Sequence, residues 1–332
     1  MKAVIVTKYG DADVLRIRDV QNPVPKEGEM LIRIKATVAA DPDCAFRRGK
    51  PFVSRFFTGL KKPKHIPGDV FAGVVEEPGK SAFKIGDKVY GSSGTNFGTN
   101  AELITLSGEE AVALMPANTT FEEAAAVSEG SLTALPFLRD HAKLQKGQKI
   151  LINGASGGVG VYAVQLAKFL GAHVSAVCGS SKVEFMKTLG ADCVIDYTKE
   201  DFTQTREQYN VIFDAVGKST FKQCKNVLAS DGIYLTTVPT AGVMLSMLIT
   251  SKTKNKRAVF AATGLRKPAD KKKDLELLSK LVEQGKLKAM ISQSFSLEQM
   301  AQAHKYVETG HKIGSAAVCV GTADAINREE AI

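Results

Sequence analysis

The stretch Lys149-Ile150-Leu151-Ile152-Asn153-Gly154-Ala155-Ser156-Gly157-Gly158-Val159-Gly160 decides the fold. A short apolar run ends in a glycine-rich turn, and from Gly158 to Leu170 Val161, Val164, Gln165 and Ala167-Lys168 recur at helical spacing. A glycine motif carries little meaning outside such a strand, turn and helix. Here Gly157, Gly158 and Gly160 permit a tight turn and close approach of the backbone to a pyrophosphate, whose charge would meet N–H groups at the helix N-terminus. Ala155 stands where the first glycine of the usual pattern would be. Gly154 to Gly160 therefore predicts a dinucleotide-binding loop, with a ligand-free structural turn as the alternative.

Further strands follow in alternation with helices: His173 to Cys178, Cys193 to Tyr197, Asn210 to Gly217, Gly232 to Val238 and Ala258 to Thr263, with helices over Lys182 to Leu189 and Phe221 to Leu228. Six strands in βα alternation predict an α/β fold with a doubly wound parallel sheet, because parallel neighbours need a crossover between them. Upstream the texture differs. Ala3 to Thr7, Met30 to Ala36, Gly73 to Glu77, Lys88 to Tyr90 and Ala101 to Leu106 are short β-like runs broken by Gly and Pro, as in a small irregular β-rich domain. Near Phe121 helical periodicity takes over, Glu122 to Ala126 opening one helix and Leu132 to Leu138 another. After an amphipathic helix from Lys271, the strand Ile291 to Phe295, the helix Leu297 to Glu308 and the strand Ser315 to Val320 read as a return to the first domain. Thr322 to Ile332 is polar and expected to fray. The resulting division is 1–122 for the β-rich domain, 123–264 for the nucleotide-binding domain and 265–332 for the returning segment.

Composition agrees with two domains. The 332 residues exceed the roughly 250–300 at which one core stops growing. Apolar residues at 44% and charged residues at 24% exclude disordered, collagen-like and disulfide-scaffold classes. The five cysteines are scattered and never spaced C-x-x-C, which points away from disulfides and thiolate metal knuckles and toward a reducing compartment. A strand from the first residues leaves no room for a leader, so the expected location is the cytoplasm. Ala241 to Thr250, the longest apolar stretch in its half, is too short to span a membrane, which takes about 20 residues. The formal charge of +9 concentrates in Lys61 to His65, Lys252 to Arg257 and Arg266 to Lys273. These runs read as a solvated face. Nucleic acid is not the expected partner, since aromatic residues are not interleaved with the lysines, and attraction of an anionic cofactor stays open.

Strand two says which dinucleotide. Enzymes that prefer NAD carry Asp or Glu at its end to accept from the ribose 2′-OH. Here it ends at Val177-Cys178-Gly179 and runs into Ser180-Ser181-Lys182, two hydroxyls and a cation suited to a 2′-phosphate, with Tyr197 at the end of strand three as a further donor. The expected cofactor is NADPH. The alternative for Ser180 is a helix N-cap.

Taken together, Asp43-x-x-x-Arg47-x-Gly49, Ile66-Pro67-Gly68-Asp69-Val70-Phe71-Ala72-Gly73, Ile85-Gly86-Asp87-Lys88-Val89-Tyr90-Gly91, Ser131 to Leu135, the loop Gly154 to Gly160, Leu189-Gly190-Ala191-Asp192 and Phe213-Asp214-x-Val216-Gly217 resemble the medium-chain dehydrogenase/reductase superfamily, in its zinc-free quinone oxidoreductase and enone reductase branch. The resemblance covers nearly the whole chain. It implies a GroES-like catalytic domain joined to a Rossmann domain, with nicotinamide and substrate held between them. It also implies that Ser156, Gly157, Gly158 and Val159 contact the pyrophosphate, that Ser180, Ser181 and Tyr197 hold the adenosine end, and that Val216 and Gly217 with Thr133 hold the ribose and nicotinamide; Ala155, Gly160 and Lys182 complete the expected cofactor-binding set. Members often form homodimers by pairing the last Rossmann strand, here Ala258 to Thr263.

Zinc-dependent relatives carry a first-domain Cys, a His-Glu after glycine and a further Cys. Here the sequence is Gly68-Asp69-Val70, Cys44 lies near the first position, Ser128 to Ser131 lacks the last cysteine, and Tyr90 to Ala101 replaces a four-cysteine structural lobe. The resemblance then implies no metal and a hydride added to a quinone or an α,β-unsaturated carbonyl, which needs mainly positioning of donor and acceptor. Asp43, Phe46, Arg47, Tyr90 and Phe97 are the substrate-site candidates. The alternatives are an Asp43–Arg47 ion pair and aromatics that belong to the core. A tyrosine and an asparagine found in some relatives are replaced by Ala45 and Ala40. Ala241 to Thr250 reads as an apolar wall or as a core helix. Two other functions stay open: an NADP-dependent alcohol or ketone dehydrogenase, and a cofactor-occupied protein that binds RNA or a partner without turnover.

Overall fold

The computed structural model describes residues 1–253 and 255–321, so the expectation for Thr322 to Ile332 lies outside the described residues. The first part of the chain forms strands β1 (Lys2–Val6), β2 (Leu15–Asp19), β3 (Glu29–Ala39), β4 (Val70–Glu77), β5 (Lys88–Ser92), β6 (Leu103–Ser107) and β7 (Ala111–Leu114), with helices α1 (Asp41–Arg48) and α2 (Arg55–Thr58) between β3 and β4. Two of these strands escape the sequence reading. In β2 the charged residues of Leu-Arg-Ile-Arg-Asp hide a short alternation, and β7 has only four residues.

Helix α3 (Phe121–Pro136) starts at a reciprocal cap, in which the Glu123 N–H donates to Thr120 Oγ1 at 3.2 Å and the Thr120 N–H donates to Glu123 Oε2 at 2.9 Å. It runs unbroken through Leu132, where the sequence predicts a second helix to start. Gly130 does not interrupt it, because packing on that side of the helix needs a residue without a side chain. A π-helical turn, Phe137–His141, follows.

Strand and helix then alternate through β8 (Lys149–Asn153), α4 (Gly160–Phe169), β9 (His173–Cys178), α5 (Val183–Thr188), β10 (Cys193–Asp196), β11 (Tyr209–Asp214), α6 (Phe221–Cys224), β12 (Leu228–Thr236), α7 (Ala241–Thr250) and β13 (Arg257–Phe260). The six strands form one parallel sheet in the order β10-β9-β8-β11-β12-β13, the doubly wound arrangement expected. The order reverses between β8 and β11, which places the carboxyl ends of these two strands at a topological switch point. The predicted helix Phe221 to Leu228 is shorter, since Leu228 already pairs with Tyr209 as part of β12.

The chain ends with α8 (Pro268–Glu283), β14 (Ile291–Ser296), α9 (Met300–Glu308) and β15 (Ser315–Cys319). β15 adds antiparallel to β3 and parallel to β14, extending the sheet β14-β15-β3-β4-β5-β7, while β6 also pairs with β3. Met30, Ile32, Phe71, Val75 and Val89 share one core with Leu297, Met300 and Val318 of this last segment. Each such side chain contributes about 1.5–3 kcal/mol when withdrawn from water, enough to hold the segment to the β-rich unit. The two compact units are Met1–Glu129 with Gly264 onward, and Gly130–Thr263. The boundary falls inside α3, beyond the change of texture at Phe121.

Tyr90 is fully buried in the first unit, and its hydroxyl donates to the Leu275 carbonyl of α8 at 2.7 Å. Tyr90→Phe removes this bond while preserving the ring. Urea denaturation should show a loss of about 1 kcal/mol.

Candidate functional site

β8 ends at Asn153, and the chain turns through Gly154 at φ 76° toward α4. The Gly157 N–H closes the turn on the Gly154 carbonyl at 3.0 Å. A Cβ on Gly154 would lie 2.4 Å from a Val216 methyl, and one on Gly160 would lie 2.2 Å from the Gly154 carbonyl oxygen. Side chains are thus excluded where the turn meets the first residue of α4. A tight glycine turn of this kind, leading into a helix N-terminus, fits a dinucleotide pyrophosphate.

The other side of the loop is set by a residue the sequence reading passed over. A Cβ on Gly130 of α3 would fall 2.2 Å from the Gly158 carbonyl oxygen and 2.2 Å from the Tyr162 ring. Glycine lets α3 pack directly on the loop. The only sequence signal for this was a glycine inside a helical pattern, a costly choice that asks for a packing reason.

At the end of β9 the predicted phosphate-binding group is rearranged. The Ser180 hydroxyl donates to Asp196 Oδ2 at 2.5 Å and lies 2.9 Å from the Thr198 hydroxyl. It caps no helix. It is turned toward a carboxylate from the end of β10, so it is not the free donor predicted. Asp196 also accepts from the Thr198 N–H and hydroxyl, at 3.0 and 2.7 Å. The Ser180 bond, followed by those from Thr198, holds Asp196 at a pKa of about 2. Parallel register sets Asp196 beside Cys178, so this acid stands near the end of strand two although it belongs to strand three. Ser181 and Tyr197 are exposed, while Lys182 is buried.

Beyond β11, Asp214 is fully buried and accepts from the backbone N–H groups of Val216, Gly217, Lys218 and Ser219 at 3.1, 2.8, 3.4 and 2.7 Å. Ser219 Oγ, Tyr234 OH and Asn153 Nδ2 donate to it as well. One side chain thereby fixes the loop that carries Val216 and Gly217. Gly217 has φ 65°, and a Cβ there would meet Val238 at 2.7 Å. The Thr263 hydroxyl reaches that of Thr133 at 3.5 Å.

In the β-rich unit, Asp43, Phe46, Arg47 and Phe97 line one small cavity of about 20 Å³ together with Thr58 and His65. That holds about one water molecule, not a ring. Phe46 and Phe97 meet edge to face, with ring centroids 5.4 Å apart. The alternative of an Asp43–Arg47 ion pair does not hold. Arg47 pairs with Glu308 of α9 and donates to the Gly10 carbonyl at 3.2 Å, tying α9 to the N-terminal loops. Asp43 instead accepts from the Ala40 N–H at 3.0 Å, capping α1. Burial, reinforced by the charge of Asp69, pushes its pKa well above the usual carboxylate range. Tyr90, the remaining candidate, does not line this cavity, and its hydroxyl is bound to α8 inside the core.

Cys44 turns toward His304, 3.3 Å from its Nδ1, in the core rather than toward Asp69. Among the described residues no three His, Cys, Asp or Glu side chains are grouped to hold a metal ion. Glu129, on α3, accepts from the Ser315 hydroxyl at 3.3 Å, and burial pushes its pKa up to about 7. Ala241 to Thr250 is not a core helix, since Met244, Leu245, Leu248 and Ile249 are 46, 59, 76 and 67% exposed.

Residues 26–137 match the family described as alcohol dehydrogenase GroES-like domain, and residues 189–318 match the family described as zinc-binding dehydrogenase. The chain is 34% identical over 336 residues to a 2-methylene-furan-3-one reductase of Solanum lycopersicum, covering 96% of this chain and 79% of the relative. It is 29% identical to an NADPH-dependent alkenal/one oxidoreductase, chloroplastic, of Arabidopsis thaliana, with the same coverage of both chains. A solved quinone oxidoreductase from Coxiella burnetii superposes with a TM-score of 0.86 at 30% identity, covering 97% of this chain and 99% of that one. Among the described residues no helix is long and apolar enough to cross a membrane.

Gly130→Ala places a methyl group against the loop carbonyl. Titration followed by nicotinamide fluorescence should show dinucleotide affinity reduced about tenfold, the equivalent of roughly 1.4 kcal/mol of overpacking.

Proposed function

We propose that this chain, which belongs to the medium-chain dehydrogenase/reductase superfamily and within it to the zinc-free quinone oxidoreductase branch, is an NADPH-dependent oxidoreductase that reduces quinones or α,β-unsaturated carbonyls. The observation that carries this reading is the tight turn from Gly154 to Gly160 at the start of α4, where Gly154 and Gly160 leave no room for a Cβ. The relatives named as enone, alkenal and quinone reductases support it.

Bound NADPH supplies a hydride from nicotinamide C4. Ser156 to Gly160 would hold its pyrophosphate through backbone N–H groups, and Lys182 with Ser181 would receive the 2′-phosphate. Asp214 orients Val216 and Gly217 toward the nicotinamide end, where Thr133 would join them. Asp43 and Phe46 remain our substrate-contacting residues, with Arg47 and Phe97 fixing their positions. A conjugated C=C or a quinone is already polarised, so holding it in place is the main task left to the protein.

Steady-state NADPH oxidation with a panel of quinones and enals tests the reading. Turnover is expected, whereas cofactor binding without turnover would overturn it. NADPH should bind more tightly than NADH. Asp196→Asn removes a negative charge near the phosphate position and should tighten NADPH about fivefold while leaving NADH nearly unchanged, as judged from dissociation constants.

The sheet edge at β13 supports a homodimer. β13 pairs with β12 on one side, and the exposed apolar side chains of α7 lie on the same unit. An open edge beside apolar surface favours pairing with a second copy. Light scattering should give a dimer for the wild type and a monomer for Leu248→Glu, and a monomeric wild type would refute the assembly. All five cysteines are free thiols, which supports the cytoplasm as the compartment.

A further inference from the structure

A cavity of about 320 Å³ lies wholly within the parallel-sheet unit, between the start of α6, the end of β12 and the first turns of α7, and none of the residues Gly154 to Gly160 lines it. This volume is at the lower end of the roughly 300–1,000 Å³ typical of small-molecule pockets. Of its lining residues, Gly217, Ser219, Tyr234 and Val238 help to hold the loop after β11, and the others have no part in the phosphate loop.

The wall has a one-sided chemistry. It contains Lys222 and no acidic side chain. Thr236 and Thr240 accept from the N–H groups of Val238 and Val243, both at 3.2 Å, which leaves each hydroxyl its own proton to donate. The Ser219 proton goes to Asp214, the Tyr234 proton is shared between Asp214 and the Ser219 carbonyl, and Ser246 spends its proton on the Gly242 carbonyl at 2.7 Å. The negative side chain behind the wall is therefore already satisfied from within. Phe221, Val238 and Val243 supply apolar surface. A cation and two hydroxyl donors select an anion, while the apolar part favours a body that leaves water readily.

We propose that this cavity is a second small-molecule site, distinct from the phosphate loop, that binds a carboxylate carrying an apolar body about the size of one ring. Its wall includes Gly217, so an occupant touches the loop that Asp214 holds in place. Binding of the carboxylate does not depend on the reductase reading.

Isothermal titration calorimetry on the full chain with benzoate, in the presence and absence of saturating NADPH, tests this. Benzoate should bind saturably, one per chain, in both conditions, and benzamide should bind about fivefold more weakly for want of the charge. Lys222→Met should cost benzoate a similar factor. Gly242→Leu should abolish binding, because a Cβ at Gly242 meets nothing nearer than Thr240 Oγ1 at 4.0 Å and leucine suits a helix better than glycine. Melting curves for both variants confirm that they fold. Absence of saturable benzoate binding, equal affinity for benzamide or for inorganic phosphate, wild-type affinity in both variants, or displacement by NADPH would each overturn the proposal. Benzoate binding to a chain that fails to bind NADPH would sink the reductase reading and leave this one standing.

Discussion

Seven donors converge on the buried side chain of Asp214: four consecutive backbone N–H groups, two hydroxyls and the amide of Asn153. They come from the end of β8, from the loop after β11 and from β12. At the switch point of a parallel sheet the strands end with unpaired backbone groups, and a buried N–H without a partner costs about as much as a lost hydrogen bond. A single acceptor at the end of β11 settles several of these debts together. The order of the loop at Val216 and Gly217 rests on it, as does the side of the Gly154 turn that Val216 closes.

The same sheet end brings unlike charges close together. The Ser180 hydroxyl and Thr198 hold Asp196 ionised, and Ser180 itself lies two residues before the buried Lys182. A carboxylate bound in this way is rigid, and the hydroxyls it engages cannot also serve as free donors. At this end of the sheet an acid is thus present after all, supplied by strand three and engaged by the hydroxyls that stand where strand two lacks one.

The parallel sheet was legible because each of its strands is a compact apolar run that changes period as it meets a helix, and Lys149 to Leu170 shows this within twenty-two residues. The return of the last segment was legible for the same reason. What escaped depends on contacts between distant residues. Tyr90 sits in a motif that looks functional, yet a carbonyl 185 positions away receives its hydroxyl. Arg47 finds Glu308 rather than its neighbour Asp43, because α9 packs beside α1. The Ser180 bond to Asp196 follows from parallel register, which no local pattern in Ser180 to Lys182 displays. In α7, ten apolar-rich residues carry no polar stripe, so periodicity could not tell an exposed face from a buried one.

Glu129 gives α3 a property that an amide or an alanine there would lack. Burial raises its folded pKa to about 7, above the value of an unfolded glutamate near 4.3. The folded chain therefore keeps a proton that the unfolded chain gives up between these limits. Its contribution to stability is complete below the unfolded value and is lost as pH rises through about 7. Ionisation of Glu129 as pH rises through about 7 would place a buried charge on a helix whose next residue packs against the phosphate loop.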